Sequence, residues 1–155
     1  MGSPQISVGA VIEIDLRNGY YAYGKILAGA DYGIYDSYTT QRIQSVKEVI
    51  GKPFIFIVAV NNYAINGRRW LKIGKDTSTA TEQNHPLKFI QDPLKLERFE
   101  LYDPVMGTIK PASKQDCAGL ERCSVWAPEH VEERIVDYYA GRPNKYRQMD
   151  LDILK

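Results

Sequence analysis

Ile12, Ile14 and Leu16 alternate with Glu13 and Asp15, the period of a half-buried strand. Asn18-Gly19 follows, a pair that favours a two-residue type I′ turn because both central positions need φ > 0. A return strand is expected from Tyr20 to about Leu27. With a two-residue loop, Leu16 faces Tyr21 and Ile14 faces Tyr23, and these four share the buried face. Glu13, Asp15 and Tyr20 then point to solvent beside the small Ala22 and Gly24. A turn at Gly29-Ala30-Asp31 leads to a third strand, Tyr32–Tyr38. There Tyr32, Ile34 and Tyr38 lie on one side, and Gly33, Tyr35 and Ser37 on the other. Asp36 falls on the Tyr32 side, so a strand end or a bulge must turn it outward.

Residues 40–51 are mixed and polar. Phe54–Val60 is a run of seven apolar residues without alternation, which predicts a central strand covered on both faces. Asn61-Asn62 ends it and Asn66-Gly67 makes a turn before the strand Trp70–Gly74. Lys75–His85 reads as a loop, and Leu87–Ile90 and Phe99–Tyr102 as short strands. Residues 103–125, broken by Pro104, Gly107, Pro111 and Gly119, read as irregular. Pro128 suits the first turn of a helix whose apolar spacing runs through Val131, Ile135, Tyr138 and Tyr139 to a closing Gly141. The expected architecture is α+β: a strongly bent antiparallel sheet of about five to six strands with a C-terminal helix packed on it. The domain is expected over residues 9–141. Residues 1–8 are read as a flexible N-terminus with the character of a cloning remnant, and 142–155 as a polar, loosely held tail.

Composition narrows the class. The chain has 155 residues, of which 44% are hydrophobic and 25% charged, which is enough to bury a core without disulfide or metal staples. Its net charge of +1 argues against a strongly basic nucleic-acid binder. No stretch reaches the roughly 20 apolar residues of a membrane helix, and no secretory layout opens the chain. A cytoplasmic setting is therefore expected. Charge is unevenly spread, at −2 over residues 1–40, +4 over 41–126 and −1 over 127–155. Tyr supplies 11 of the aromatic residues, against four Phe and two Trp. Tyrosine joins an apolar ring to a polar tip, which suits docking surfaces. Tyr20, Tyr32 and Tyr35, interleaved with Asp15, Asp31 and Asp36, form the candidate partner-binding group, a face suited to a basic protein.

Sites of chemistry are weaker. Cys117 and Cys123 with His85 and His130 could compose a zinc site or a Cys–His pair, but neither cysteine sits in a C-x2-C knuckle. No metal, cofactor or catalytic residue is assigned, and whether the two thiols ever pair stays open. No glycine-rich phosphate loop, G-x-S-x-G or H-E-x-x-H is present. Glu13 and Asp15 read as a wet strand face rather than an acid–base pair. Arg68-Arg69 beside Trp70 supports an alternative, a small β-rich RNA- or ligand-binding module. The remaining alternative is an enzyme built on one of the cysteines and a histidine.

Several motifs, in order, resemble those of the immunity protein 26 family of bacterial polymorphic toxin and contact-dependent inhibition systems. They are Gly9–Ile14 with Gly19-Tyr20-Tyr21-Ala22-Tyr23-Gly24-Lys25-Ile26-Leu27, then Tyr32-Gly33-Ile34-Tyr35-Asp36, then Trp70-Leu71-Lys72-Ile73-Gly74-Lys75. Glu82, Pro86 and Phe89 follow, then Gly119-Leu120-Glu121, Val125-Trp126 and His130–Ile135. The resemblance spans residues 9–140. It implies a non-enzymatic immunity protein that binds and neutralises the toxic C-terminal domain of a cognate bacterial effector. Immunity proteins against nucleases are often acidic, and this chain is near neutral. The toxin and the oligomeric state stay open.

Overall fold

The fold is described from a computed structural model, for residues 4–78 and 85–155. β1 (Ala10–Asp15) and β2 (Tyr21–Ile26) form the expected hairpin. Its register differs by one residue. Asp15 pairs with Tyr21 and Ile14 with Ala22, and the Leu16 amide donates to the Tyr20 carbonyl at 3.1 Å. The loop is therefore Arg17-Asn18-Gly19, with Arg17 at φ 60° and Gly19 at φ 90°. Two side chains favour the longer turn: Asp15 accepts from the Arg17 amide at 2.8 Å and Asn18 from the Tyr20 amide at 3.0 Å. A one-residue shift moves every side chain to the other face. Tyr20 thus joins Ile14 and Leu16, while Tyr21 and Tyr23 join Glu13 and Asp15.

Both faces of this hairpin are covered, which corrects the reading of Glu13 as solvated. Glu13 is buried, accepts from the Tyr23 hydroxyl at 3.4 Å and meets Arg42 at 3.3 Å. Val49, with Ile43, Val46 and Ile50, brings the segment after β3 across Val11, Tyr23 and Tyr35.

β3 (Asp31–Thr39) and β4 (Phe54–Val60) extend the sheet. Gly24 pairs with Ile34 but Ala22 with Tyr38, so Tyr35, Asp36 and Ser37 stand opposite Tyr23 alone. This bulge turns Asp36 out to solvent, as its position required. After the short α1 (Tyr63–Asn66), β5 (Leu71–Lys75) returns along β1.

The segments expected as isolated short strands, with part of the stretch expected as irregular, build a second sheet. It contains β6 (Lys88–Gln91), β7 (Phe99–Tyr102), β8 (Ile109–Ala112) and the two-residue β9 (Glu121–Arg122), in the order β8-β7-β6-β9. β10 (Val125–Trp126) then joins the first sheet, whose order is β10-β4-β3-β2-β1-β5. β9 and β10 run parallel to β6 and β4, so neither sheet is purely antiparallel. Strands of two residues carry almost no pattern of their own, which is why they escape detection in the sequence.

α2 (Pro128–Ala140) begins and ends as read, with Pro128 in its first turn and Gly141 left-handed at φ 68°. It buries Val131 and Ile135 against the core of Ile12, Ile14, Ile34, Val58 and Trp70. The expected loose tail instead folds as α3 (Lys145–Ile153). Asn144 caps it, accepting from the Tyr146 and Arg147 amides at 3.1 and 3.0 Å. The Tyr146 ring stacks on His130 at 3.8 Å, and Ile153 and Leu154 pack on the core of Phe89, Phe99 and Leu101. Near the N-terminus, Lys72 holds the Gln5 carbonyl at 2.8 Å and Ile6 packs on the main core, so this segment is anchored.

Candidate docking surface

The three-residue turn and the bulge together place a column of tyrosines on the surface. The turn sets Tyr20 on the Leu16 face, and Tyr38 pairs with Ala22 one row away. Cross-strand diagonal neighbours lie within reach of aromatic rings. Tyr20 and Tyr38 stack at 4.0 Å with planes 5° apart. Tyr139, from the last turn of α2, stacks on Tyr38 at 4.4 Å and 12°. Tyr138 meets Tyr139 edge-on at 5.0 Å and is itself 51% exposed. The Tyr139 hydroxyl donates to Asp36 Oδ1 at 2.8 Å, and Asn18 donates to the Tyr38 hydroxyl at 3.1 Å. Burial first, and Asp36 second, push the Tyr139 phenol upward, so it stays a donor at neutral pH.

Two open grooves are lined by the column or by residues of the elements that carry it. One, of about 770 Å³, is bordered by Tyr20, Tyr38, Gln41, Arg42 and Glu48. The other, of about 240 Å³, lies between Leu16 and α2 and is lined by Glu129, Glu133, Val136, Asp137 and Arg142.

Of the six residues expected to form a docking face, Tyr20 and Asp36 are brought together here. Asp15 is exposed but shares its sheet face with Glu13 and Tyr21, opposite Tyr20. Asp31, Tyr32 and Tyr35 are 1–2% exposed, so the surface exposure expected of them is absent. Tyr32 lies edge-on to Trp70 at 5.7 Å, and burial pushes its phenol up to about 12. Tyr35 donates to Asp76 at 3.2 Å. Asp31 takes Lys88 at 2.5 Å and His85 at 2.6 Å. Tyr38, Tyr138 and Tyr139 were missed. The strand period already places Tyr38 beside Tyr32 and Ile34; what no local pattern shows is that the end of α2 lands on the end of β3.

The other candidate chemistries are structural. Glu132, buried on α2, accepts from Arg69 Nε at 2.7 Å and from the Trp70 indole at 3.0 Å. This corrects the nucleic-acid reading, because Trp70 is 1% exposed and the Arg69 guanidinium is already engaged. Cys117 is buried in the second core and Cys123 is exposed. Burial pushes both thiols up, and for Cys123 Lys88 partly opposes it. His130 is stacked on Tyr146 while His85 faces Asp31. Among the described residues no three His, Cys, Asp or Glu side chains converge as a metal site. Glu82 of the family motif lies outside the described residues.

A family profile described as Immunity protein 26 matches residues 7–100. The chain belongs to the immunity protein 26 family. The match runs from the strand entry before β1 to the middle of β7, and so contains the hairpin, the bulged β3 and Trp70. No curated protein and no solved structure matches the chain. Membership in the immunity protein 26 family carries a toxin-neutralising role at the level of the family, and such proteins are in general not enzymes. No helix among the described residues is long and apolar enough to cross a membrane.

Proposed function

We propose that this chain binds the toxic C-terminal domain of a cognate bacterial effector in the cytoplasm and blocks it without chemistry of its own. The observation that carries this reading is the family match over residues 7–100. The surface that fits it is the tyrosine column with Asp36. Stacked rings present large, rigid contact area with little side-chain freedom left to lose on binding. Aromatic side chains are also enriched among the residues that dominate interface energies. The test is growth rescue. The C-terminal domain of a candidate toxin, sought in any large secreted protein that the gene immediately upstream encodes, is induced in a host with and without this chain. Growth restored only in the presence of the chain supports the reading. Continued arrest with abundant folded chain refutes it.

A further inference from the structure

Among the described residues each sheet has two edges, and only one of these edges is a usable template for another strand. β9 and β10 offer two residues each, and β8 carries Pro111, which has no amide hydrogen to give. β5 is five residues long and free of proline, and it pairs with β1 alone. Nothing else among the described residues bonds to the main chain of residues 71–75. This strand lies in the motif Trp70–Lys75, of which the fold explains only part. Trp70 is anchored on Glu132, and Gly74 lets Val46 pack close, where a Cβ would lie 2.5 Å from its Cγ1. Leu71 and Ile73 are left 46% and 37% exposed.

The register sorts the side chains of this edge. Paired residues share a face of the sheet, so Lys72 and Lys75, opposite Ile12 and Ala10, stand on one side. Leu71 and Gly74, opposite Glu13 and Val11, stand on the other. The bulge leaves Ile73 unpaired beside a hollow of about 260 Å³, which it lines with Ile43, Gln44, Ser45 and Val46. Ile43, Gln44 and Ser45 also line the larger groove at Tyr20 and Tyr38, so one stretch of chain borders both the edge and the tyrosine column. Neighbouring charges cancel in pairs: Glu13 with Arg42, Asp76 with Lys25, and Arg69 with Glu132. In the turn over Gly74, Lys47 and Glu48 offset each other, and Arg68 just before the strand is positive. Lys72 donates to the neutral Gln5 carbonyl and Ser7 hydroxyl, and Lys75 has no hydrogen bond or ion pair among the described residues. The edge therefore keeps uncompensated positive charge at Lys72 and Lys75.

Resting on the reading of the chain as an immunity protein, we infer that β5 pairs with an exposed strand of the toxin domain that alternates acidic and apolar residues. The main chain of that strand completes the hydrogen bonds β5 leaves open. Its carboxylates meet Lys72 and Lys75, and its apolar side chains cover Leu71 and Ile73. In such added strands main-chain pairing supplies affinity and the alternate side chains supply selectivity. Lysines and bulges keep edge strands from pairing indiscriminately. Here they turn away a second copy, which would set lysines against lysines, and do not oppose an acidic strand. A nucleic acid would meet the lysines but leave the open main chain, Leu71 and Ile73 without a match.

The test uses the full chain and the toxin domain that growth rescue identifies. Amide hydrogen exchange is followed over residues 71–75, free and in the complex. Association rates are measured by stopped flow at low and high salt for the native chain, for Lys72→Glu with Lys75→Glu, and for Lys75→Glu alone. Protection over residues 71–75 should rise on binding. The double variant should associate roughly tenfold more slowly at low salt and converge with the native chain at high salt. Lys75→Glu should fall between them with an unchanged thermal midpoint, since the Lys75 side chain holds nothing in the fold. Unchanged exchange over 71–75 in a complex that forms, or native rates in both variants at low salt, overturns the inference and leaves the immunity reading standing. Concentration-dependent protection of the chain alone would assign the edge to a second copy, and protection by an RNA oligonucleotide would assign it to nucleic acid. Either result overturns the inference as well. Failure of the native chain to rescue growth refutes the immunity reading, and the inference built on it falls with it.

Discussion

Glu13 and Glu132 have the same side chain and nearly the same exposure, 6% and 7%, yet their neighbours give them different work. Glu13 closes a polar pocket under the segment after β3, with Tyr23 and Arg42. Glu132 pins α2 to Trp70 and Arg69. Buried carboxylates need such partners, because an uncompensated charge inside a protein costs several kcal/mol. The thiols illustrate the opposite case. Burial raises the pKa of Cys117 and Cys123, so at neutral pH the thiolate fraction of each lies below that of an ordinary cysteine. Alkylation with iodoacetamide should therefore be slow at neutral pH for both. The Cys123 rate should climb as pH rises beyond the usual thiol range, and Cys117 should react only on unfolding. Mass spectrometry of a pH series checks this, and rapid labelling of Cys123 at neutral pH would contradict it.

At the scale of elements, what could be read from the sequence was what repeats locally. Ile12-Glu13-Ile14-Asp15-Leu16 fixes β1, the apolar run fixes β4, and the Pro128 and Gly141 signals bound α2 to the residue. Register was not legible, because Asn18-Gly19 favours a two-residue loop and only the contacts of Asp15 and Asn18 with nearby amides select three. That single residue decides which tyrosines reach the surface. α3 was missed because its apolar residues are few and its anchors, His130 and the second core, come from elsewhere in the chain. Its one local signal was the cap, Asn144. Asn144→Ala should cost about 1 kcal/mol of stability, the usual value for a lost N-cap. Urea denaturation, together with faster amide exchange over residues 145–153, would register the loss.

The whole molecule depends on the joint between its sheets. Asp31 opens β3 in the first sheet, and Lys88 opens β6 in the second. Their ion pair, joined by His85, is almost fully enclosed. Asp31→Ala would leave the Lys88 ammonium buried without its counter-ion. A loss of about 3–5 kcal/mol is expected, visible as a lower denaturation midpoint. Lys88→Met combined with Asp31→Ala should recover part of it, since two apolar groups there need no partner. A double variant as weak as the single would argue that the joint works through shape rather than charge.

β9 and β10 occupy only residues 121–126, yet they close one edge of each sheet, and α2 then lies over the main core. A ribosome makes these pieces late, so a nascent chain has most of both sheets in hand while their final borders and the helical cover are still missing. Assembly of this domain must therefore wait for residues 121–140. Chains cut short before residue 121 would expose apolar surface and offer proteases an easy substrate. Closure of both sheets is thereby made an all-or-none step that waits on the segments following residue 120.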